Sequence, residues 1–114
     1  MGDFMSNLTV SGVTLSDEVV VMITAKTAAE TTAPFPIRAN TKYTLLGSTL
    51  GISEDVLGEI YDPSKSAWQA WYYEGLRVKL TQYQEQLCIE NISAMIRFVK
   101  PITSQAVGLS IFYN

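Results

Sequence analysis

The chain has 114 residues, of which 47% are apolar and 17% charged, and its net charge is −3. These values predict a single globular domain over residues 1–114 and exclude a disordered chain. Histidine is absent, which removes Ser-His and Cys-His nucleophilic catalysis and the commonest metal ligand. The single cysteine, Cys88, excludes an internal disulfide and a zinc ribbon, and its apolar neighbours predict a buried structural thiol. The sequence contains no cluster of basic residues, so a nucleic-acid partner is not predicted.

Residues 1–5 are predicted to form a short N-terminal arm. They carry neither the basic region nor the apolar segment of a secretory signal, so synthesis in a reducing cytoplasm is expected. The longest apolar run, Val19–Ile23, is far too short to span a membrane, and no membrane partner is predicted.

The first third of the chain reads as strands and one loop. Residues 7–15 predict a strand with a bend at Ser11-Gly12. The β-branched run over residues 19–27 predicts a strand that is buried on both faces. Residues 27–36 contain two prolines that cannot donate to a strand ladder, so an exposed loop is predicted, with Phe35 as its anchor.

The middle of the chain alternates between short strands and turns. Strands are predicted over residues 37–39 and 43–46. Ser53-Glu54-Asp55-Val56 has the pattern of a helix start, but Gly58 limits it to one turn. A strand over residues 56–61 is the alternative, and residues 62–66 predict a turn.

Residues 68–80 are the most strongly patterned stretch, with both tryptophans and a clear alternation from Leu76 to Leu80. They predict a β-hairpin whose turn is Glu74-Gly75. The alternative is a helix over residues 63–74, starting at Asp62-Pro63, with both tryptophans on one buried face.

The remaining segments predict strands over residues 76–81, 86–91, 95–100 and 106–113. Together with the earlier segments they indicate an all-β fold, an antiparallel β-sandwich or jelly roll of about eight short strands.

Four carboxylates form the only acid cluster of the chain, at Glu54, Asp55, Glu59 and Asp62. Their spacing does not match an EF-hand loop. A solvated acidic loop is therefore predicted, with no catalytic residue, no metal and no cofactor.

The aromatic residues of the hairpin admit three roles. Strand alternation places Trp68 and Tyr72 on one face and Trp71 and Tyr73 on the other. One face belongs in the core, and the other suits a protein interface or a sugar-stacking platform. The residues predicted at an interface are Trp71, Tyr73, Phe35 and Phe4.

The C-terminal half, at residues 73–80, 95–101 and 107–113, resembles small β-sandwich accessory proteins of tailed bacteriophage virions. These include capsid decoration proteins, head-fibre bases and tail accessory modules. The resemblance implies a non-enzymatic structural protein in the virion, made in the host cytoplasm. It also implies a homo-oligomer that contacts capsid or tail subunits.

The low charged fraction independently indicates an interaction partner, because few charged residues are left to cover the surface of a lone domain. The alternative function is a carbohydrate-binding module that uses Trp71 and Tyr73. Enzymatic activity is not expected.

Overall fold

A computed structural model describes residues 8–10, 13–15 and 18–113, and this part of the chain contains strands and turns but no helix. The all-β prediction is confirmed. The strands are β1 (Leu8–Val10), β2 (Val13–Leu15), β3 (Glu18–Lys26), β4 (Glu30–Thr31), β5 (Phe35–Ile37), β6 (Tyr43–Gly47), β7 (Val56–Asp62), β8 (Ala67–Ala70), β9 (Tyr72–Tyr73), β10 (Leu76–Arg77), β11 (Lys79–Leu80), β12 (Gln86–Ile89), β13 (Ala94–Lys100) and β14 (Val107–Tyr113). None of the described elements is a helix that could cross a bilayer.

Two antiparallel sheets form the body of the molecule. The β14 sheet has the order β12-β6-β14-β3. The β13 sheet centres on β7 and β13, with β8 and β11 beside β7 and with β4 and β5 beside β13. Two small hairpins, β1-β2 and β9-β10, complete the described strands.

The hydrophobic core lies between the two sheets and follows the period-two alternation of their central strands. In β14 the buried apolar residues are Val107, Leu109 and Ile111, and in β13 they are Ile96 and Phe98. Burying a large apolar side chain stabilises the fold by roughly 1.5–3 kcal/mol. The other buried apolar residues are Ile23, Ile37, Tyr43, Leu45, Leu50, Val56, Trp71, Val78, Leu80 and Ile89.

The predicted hairpin is confirmed, and the helical alternative for residues 63–74 is wrong. β9 pairs with β10, and the turn residues Glu74 and Gly75 have φ of 53° and 83°. Positive φ at both turn positions matches the right-handed twist of the strands that the turn connects. This local turn chemistry, together with β-forming aromatics before it, outweighs the helical pattern.

Residues 27–36 are mostly exposed, as predicted, but the prediction that they form a loop is wrong. β4 and β5 both pair with β13 along the edge of its sheet. Thr32 anchors the segment between them, since its amide donates to the Phe98 carbonyl at 2.9 Å and its Oγ1 accepts from the Phe98 amide at 3.0 Å. The prolines are accommodated because an edge strand needs ladder donors on one side only.

The prediction that residues 19–27 are buried on both faces is also wrong. β3 is the edge strand of its sheet and pairs with β14 alone among the described strands. Only Ile23 in β3 is fully buried, and Val21 keeps 61% of its surface exposed. An apolar run therefore lies at a sheet edge instead of in a sheet centre.

The single strand predicted over residues 7–15 is wrong, because the described residues form two strands, β1 and β2, which pair in the register Leu8–Leu15 and Val10–Val13. The predicted bend at Ser11-Gly12 and the arm at residues 1–5 lie outside the described residues. Phe4, predicted at an interface, lies outside them as well.

The helical turn predicted at Ser53 is wrong, and the alternative strand over residues 56–61 is confirmed by β7. Ser53 has φ of 62°, a left-handed conformation that a right-handed helix cannot contain. Glu54 fixes the loop instead, because its carboxylate accepts the Gly51 amide at 2.7 Å and the Ser104 amide at 2.8 Å.

Candidate interaction surface

The four clustered carboxylates of the sequence are dispersed among separate partners. Glu54 caps two loops, and hydrogen bonds from the Ser104 and Gly51 amides lower its pKa. The other pairs are Asp55 with Lys79 at 4.0 Å, Glu59 with Arg97 at 2.7 Å and Asp62 with Ser64 at 2.6 Å. Within the described residues no three His, Cys, Asp or Glu side chains converge on a metal-binding geometry. The four residues do not form the single solvated acidic loop that was predicted, because Glu59 and Asp62 belong to β7 and each carboxylate has a partner of its own.

Lys100 is a buried cation at the end of β13, with 1% of its surface exposed. Its Nζ donates to the Ala28 carbonyl at 2.7 Å and to the Pro101 carbonyl at 2.9 Å. Burial, followed by repulsion from Lys26, lowers the pKa of Lys100. The bond to Ala28 joins the end of β13 to the loop after β3, so this lysine has a structural role.

Trp71 does not lie on an exposed face, and this prediction is wrong. Its side chain is 1% exposed and packs against Phe98 with ring centroids 6.3 Å apart. Gly58 leaves space for the indole, because a Cβ at this position would lie 3.0 Å from Trp71 Cε3 and 2.8 Å from Val78 Cγ1. The Trp71 amide donates to the Gly58 carbonyl at 3.2 Å, which holds the indole over that glycine.

Tyr73 and Phe35 are half-buried within the fold. The Tyr73 hydroxyl donates to the Glu90 carbonyl at 3.0 Å and accepts from the Glu90 amide at 3.1 Å, which joins the β9-β10 hairpin to the β14 sheet. Phe35 packs edge-on against Tyr43 and Tyr113, with centroids 6.3 and 6.1 Å away. Both aromatics stabilise the sandwich, and contact of either one with a partner stays a prediction.

Trp68 lies opposite Trp71, on the outer face of the β13 sheet. The Arg97 guanidinium covers its ring at 4.3 Å from the centroid, and Tyr61 meets it edge-on at 5.3 Å. Glu59 holds Arg97 in place with a 2.7 Å ion pair. This outer face therefore carries charged and aromatic side chains that interact with one another.

The outer face of the β14 sheet is different, because its outward positions carry no charge. One row across the strands contains Cys88, Thr44, Phe112 and Val19, and the next contains Gln86, Leu46, Ser110 and Val21. Val21 and Leu46 are 61% and 41% exposed. We call this the uncharged face, and its members are Val19, Val21, Thr44, Leu46, Gln86, Cys88, Gly108, Ser110 and Phe112.

A shallow depression of about 320 Å³ opens in the uncharged face between β3 and β6. Gly108 and Ser110 form its floor, and Val21 and Leu46 flank it. The nearest ion pair across the sheet, Lys42 with Glu90 at 3.8 Å, lies at the strand ends, beyond the row that holds Cys88. The described part of this face thus combines uncharged central rows, which include the apolar Val21 and Leu46, with one ion pair at one end, and depletion of charge is typical of the centre of a protein interface.

Sequence reasoning missed this surface and predicted that Cys88 is buried, whereas its side chain is exposed on the uncharged face. Alternation within β6 does place Leu45 and Leu46 on opposite faces of the strand. This pattern could have identified Leu46 as a candidate surface residue. Nothing in the sequence alone shows that β6 and β14 present their Leu46 and Ser110 sides to solvent.

No family model, no characterised protein and no solved structure matches this chain.

Proposed function

We propose that this protein is a non-enzymatic structural subunit of a bacteriophage virion, which decorates or stabilises the capsid or tail through protein–protein contacts. The uncharged face is the observation that supports this proposal. Its contact partners are capsid or tail subunits and other copies of this chain, and the subunit reaches the virion from the host cytoplasm.

The physical argument depends on the contrast between the two sheet faces. The outer face of the β13 sheet presents the Arg97–Glu59 ion pair, with the Arg97 guanidinium stacked on Trp68. The uncharged face presents Val21 and Leu46 with no charge among them. Exposed apolar side chains on a surface without charge are typical of contact sites, because charge is depleted in interface centres.

The carbohydrate-binding alternative loses the residues on which it depends. Trp71 is buried, the Tyr73 hydroxyl is bound to the backbone of Glu90, and Arg97 covers one face of Trp68. A sugar ring stacks on an open aromatic face, so this structure favours a protein contact over a glycan platform.

The test compares two matched substitutions on opposite outer faces. Leu46 and Met95 are 41% and 40% exposed, so Leu46→Glu and Met95→Glu introduce the same charge at equal exposure. We expect Leu46→Glu to reduce the copy number of the protein in purified virions at least tenfold, because a charge in an interface centre loses its hydration. Met95→Glu should leave the copy number unchanged. Quantitative mass spectrometry of virions from phage carrying each allele measures both.

Absence of the wild-type protein from purified virions contradicts the proposed function. Equal incorporation of the Leu46→Glu and wild-type proteins contradicts the assignment of the contact to the uncharged face. Circular dichroism of both variants establishes that each one keeps the native fold.

A further inference from the structure

We propose that the outer edge of β12 binds an extended peptide segment of another protein as an added β-strand, and that Tyr73 of the β9-β10 hairpin closes this edge until the segment displaces it. The contact uses the backbone of β12 and not the side chains of the uncharged face. The inference goes beyond the proposed function and does not rest on it, because the backbone groups of the edge by themselves select an extended chain.

β12 is the regular edge strand of the β14 sheet. Its four residues pair with β6 in one continuous register, from Gln86–Leu46 to Ile89–Tyr43. The opposite edge strand, β3, shifts its register with β14 twice, and such bulges disrupt the row of backbone groups that an added strand needs. Of the two edges of this sheet, β12 therefore offers the better template for a further strand.

Alternate residues along β12 direct their backbone groups away from β6. The Gly47 amide donates to the Glu85 carbonyl at 2.8 Å, so the backbone of Glu85 faces β6. In an antiparallel ladder, residues that bond to the partner strand alternate with residues whose N–H and C=O point outward. Gln86, Cys88 and Glu90 therefore face outward, and among the described strands none pairs with this side of β12. Their spacing of roughly 6.8 Å matches alternate residues of an extended chain.

The Tyr73 hydroxyl takes the place of such a strand at one position. It accepts the Glu90 amide at 3.1 Å and donates to the Glu90 carbonyl at 3.0 Å, and these are the two bonds that a paired strand residue would make. The same two bonds establish that the backbone of Glu90 faces outward, in agreement with the alternation along β12. A strand that pairs with Glu90 has to displace the hydroxyl, so Tyr73 controls access to the edge.

The space beside the edge fits a single chain. A cavity of about 130 Å³ lies between the hairpin and β12, and its lining contains the apolar Leu76, Val78 and Leu87 and two opposite charges, Glu74 and Arg77. Because the hairpin stands over the edge, a second folded sheet cannot approach β12 as closely as an extended segment can. An uncharged side chain of the added strand suits this lining, because the opposite charges give the cavity no net charge.

The first test locates the binding of a synthetic peptide. A random library of capped octapeptides, screened against the purified protein, should yield binders without proline in their central residues, because proline cannot donate to a strand ladder. One such peptide at saturation should slow hydrogen exchange at the Gln86 and Cys88 amides by roughly tenfold or more, measured by NMR. The Leu87 amide faces β6 already, so its exchange rate should not change and serves as the internal control.

N-methylation of the selected peptide tests backbone pairing directly. Alternate amides of an added strand face β12, and the amides between them face solvent. Two peptides of the same sequence are therefore made, one methylated on each alternate set of amides. One of them should lose binding, and the other should keep its affinity within about twofold, because only one side of the added strand pairs with β12.

A matched pair of variants tests the role of Tyr73. Tyr73→Phe leaves the Glu90 backbone open to the peptide, so this variant should bind it roughly three- to tenfold more tightly than the wild type. Tyr72→Phe removes the same atom from the exposed neighbouring residue and should bind like the wild type. Isothermal titration calorimetry measures the affinities, and circular dichroism establishes that both variants keep the native fold.

A library that yields no binder overturns the inference, and so does a binder that leaves exchange at the Gln86 and Cys88 amides unchanged. Equal affinities of the two methylated peptides overturn it as well, and this test needs only the wild-type protein. A wild type that dimerises without peptide and protects the same two amides would show that a second copy occupies the edge. Equal affinities of the wild type and Tyr73→Phe contradict the control of the edge by Tyr73.

Discussion

At the scale of single residues, two tryptophans three positions apart have opposite environments. Trp71 is buried above Gly58, whereas Trp68 lies on the outer face under Arg97. The alternation in the sequence separates the two correctly but does not say which one the core contains. Gly58, on a different strand, decides it, because only a residue without Cβ leaves room for the indole.

Trp71→Ala should therefore destabilise the fold far more than Trp68→Ala. Removing a buried tryptophan leaves a cavity and costs about 3–5 kcal/mol. Trp68→Ala removes a partly exposed ring and its cation–π contact, which should cost about 1–2 kcal/mol. Urea unfolding followed by circular dichroism measures both, and equal losses would contradict the assignment of the two faces.

At the scale of elements, the β9-β10 hairpin depends on a turn with positive φ at both central residues. Glu74 has φ of 53° and Gly75 has φ of 83°. Asn-Gly is the preferred sequence for this geometry because asparagine tolerates the left-handed region better than glutamate does. The hairpin matters for the sandwich because Tyr73, directly before the turn, binds the backbone of Glu90.

Gly75→Ala should lower the free energy of unfolding by about 1–2 kcal/mol. No atom lies within 4 Å of a Cβ at this position, so the cost is conformational and not steric. Glu74→Asn should raise stability by a few tenths of a kcal/mol. Thermal unfolding of the two variants checks the turn, and a Gly75→Ala protein as stable as wild type would show that residue 75 has another conformation.

At the scale of the whole molecule, carboxylates that accept hydrogen bonds in loops and turns make stability depend on pH. Glu54 connects the Gly51 loop to Ser104, and hydrogen bonds from the Ser104 and then the Gly51 amide lower its pKa below the ordinary 4.5. The Ser64 hydroxyl likewise lowers the pKa of Asp62 below 3.8. A carboxyl with a lower pKa in the folded state stabilises the fold at pH values above its unfolded pKa. It loses that contribution as the pH falls through its folded pKa.

The melting temperature should accordingly change little between neutral pH and about pH 5 and fall below that range. The melting temperature of the Glu54→Gln protein should fall less steeply with decreasing pH. The glutamine amide does not titrate, so it adds no pH dependence to the free energy of unfolding. Differential scanning calorimetry from neutral to acidic pH measures both slopes. Parallel slopes for the two proteins would show that Glu54 has the same pKa in the folded and unfolded states.

The sequence by itself determined the features that depend on neighbouring residues. The strand predicted over residues 106–113 is β14, and its alternate apolar residues lie on the buried side because successive side chains in a strand point to opposite faces. Glu74-Gly75 identified the hairpin turn because its geometry is local. The all-β class follows from many such segments and needs no knowledge of their order.

Only the tertiary structure decided what depends on strand order. β3 is apolar yet lies at a sheet edge, and the uncharged face joins side chains from β3, β6, β12 and β14. Residues 30–37 pair with β13, more than 55 positions further along the chain, although their prolines suggest a loop. Whether an apolar side chain is buried or exposed depends on which strand lies beside it and which sheet lies above it. Those neighbours come from distant parts of the chain, so no local pattern encodes them.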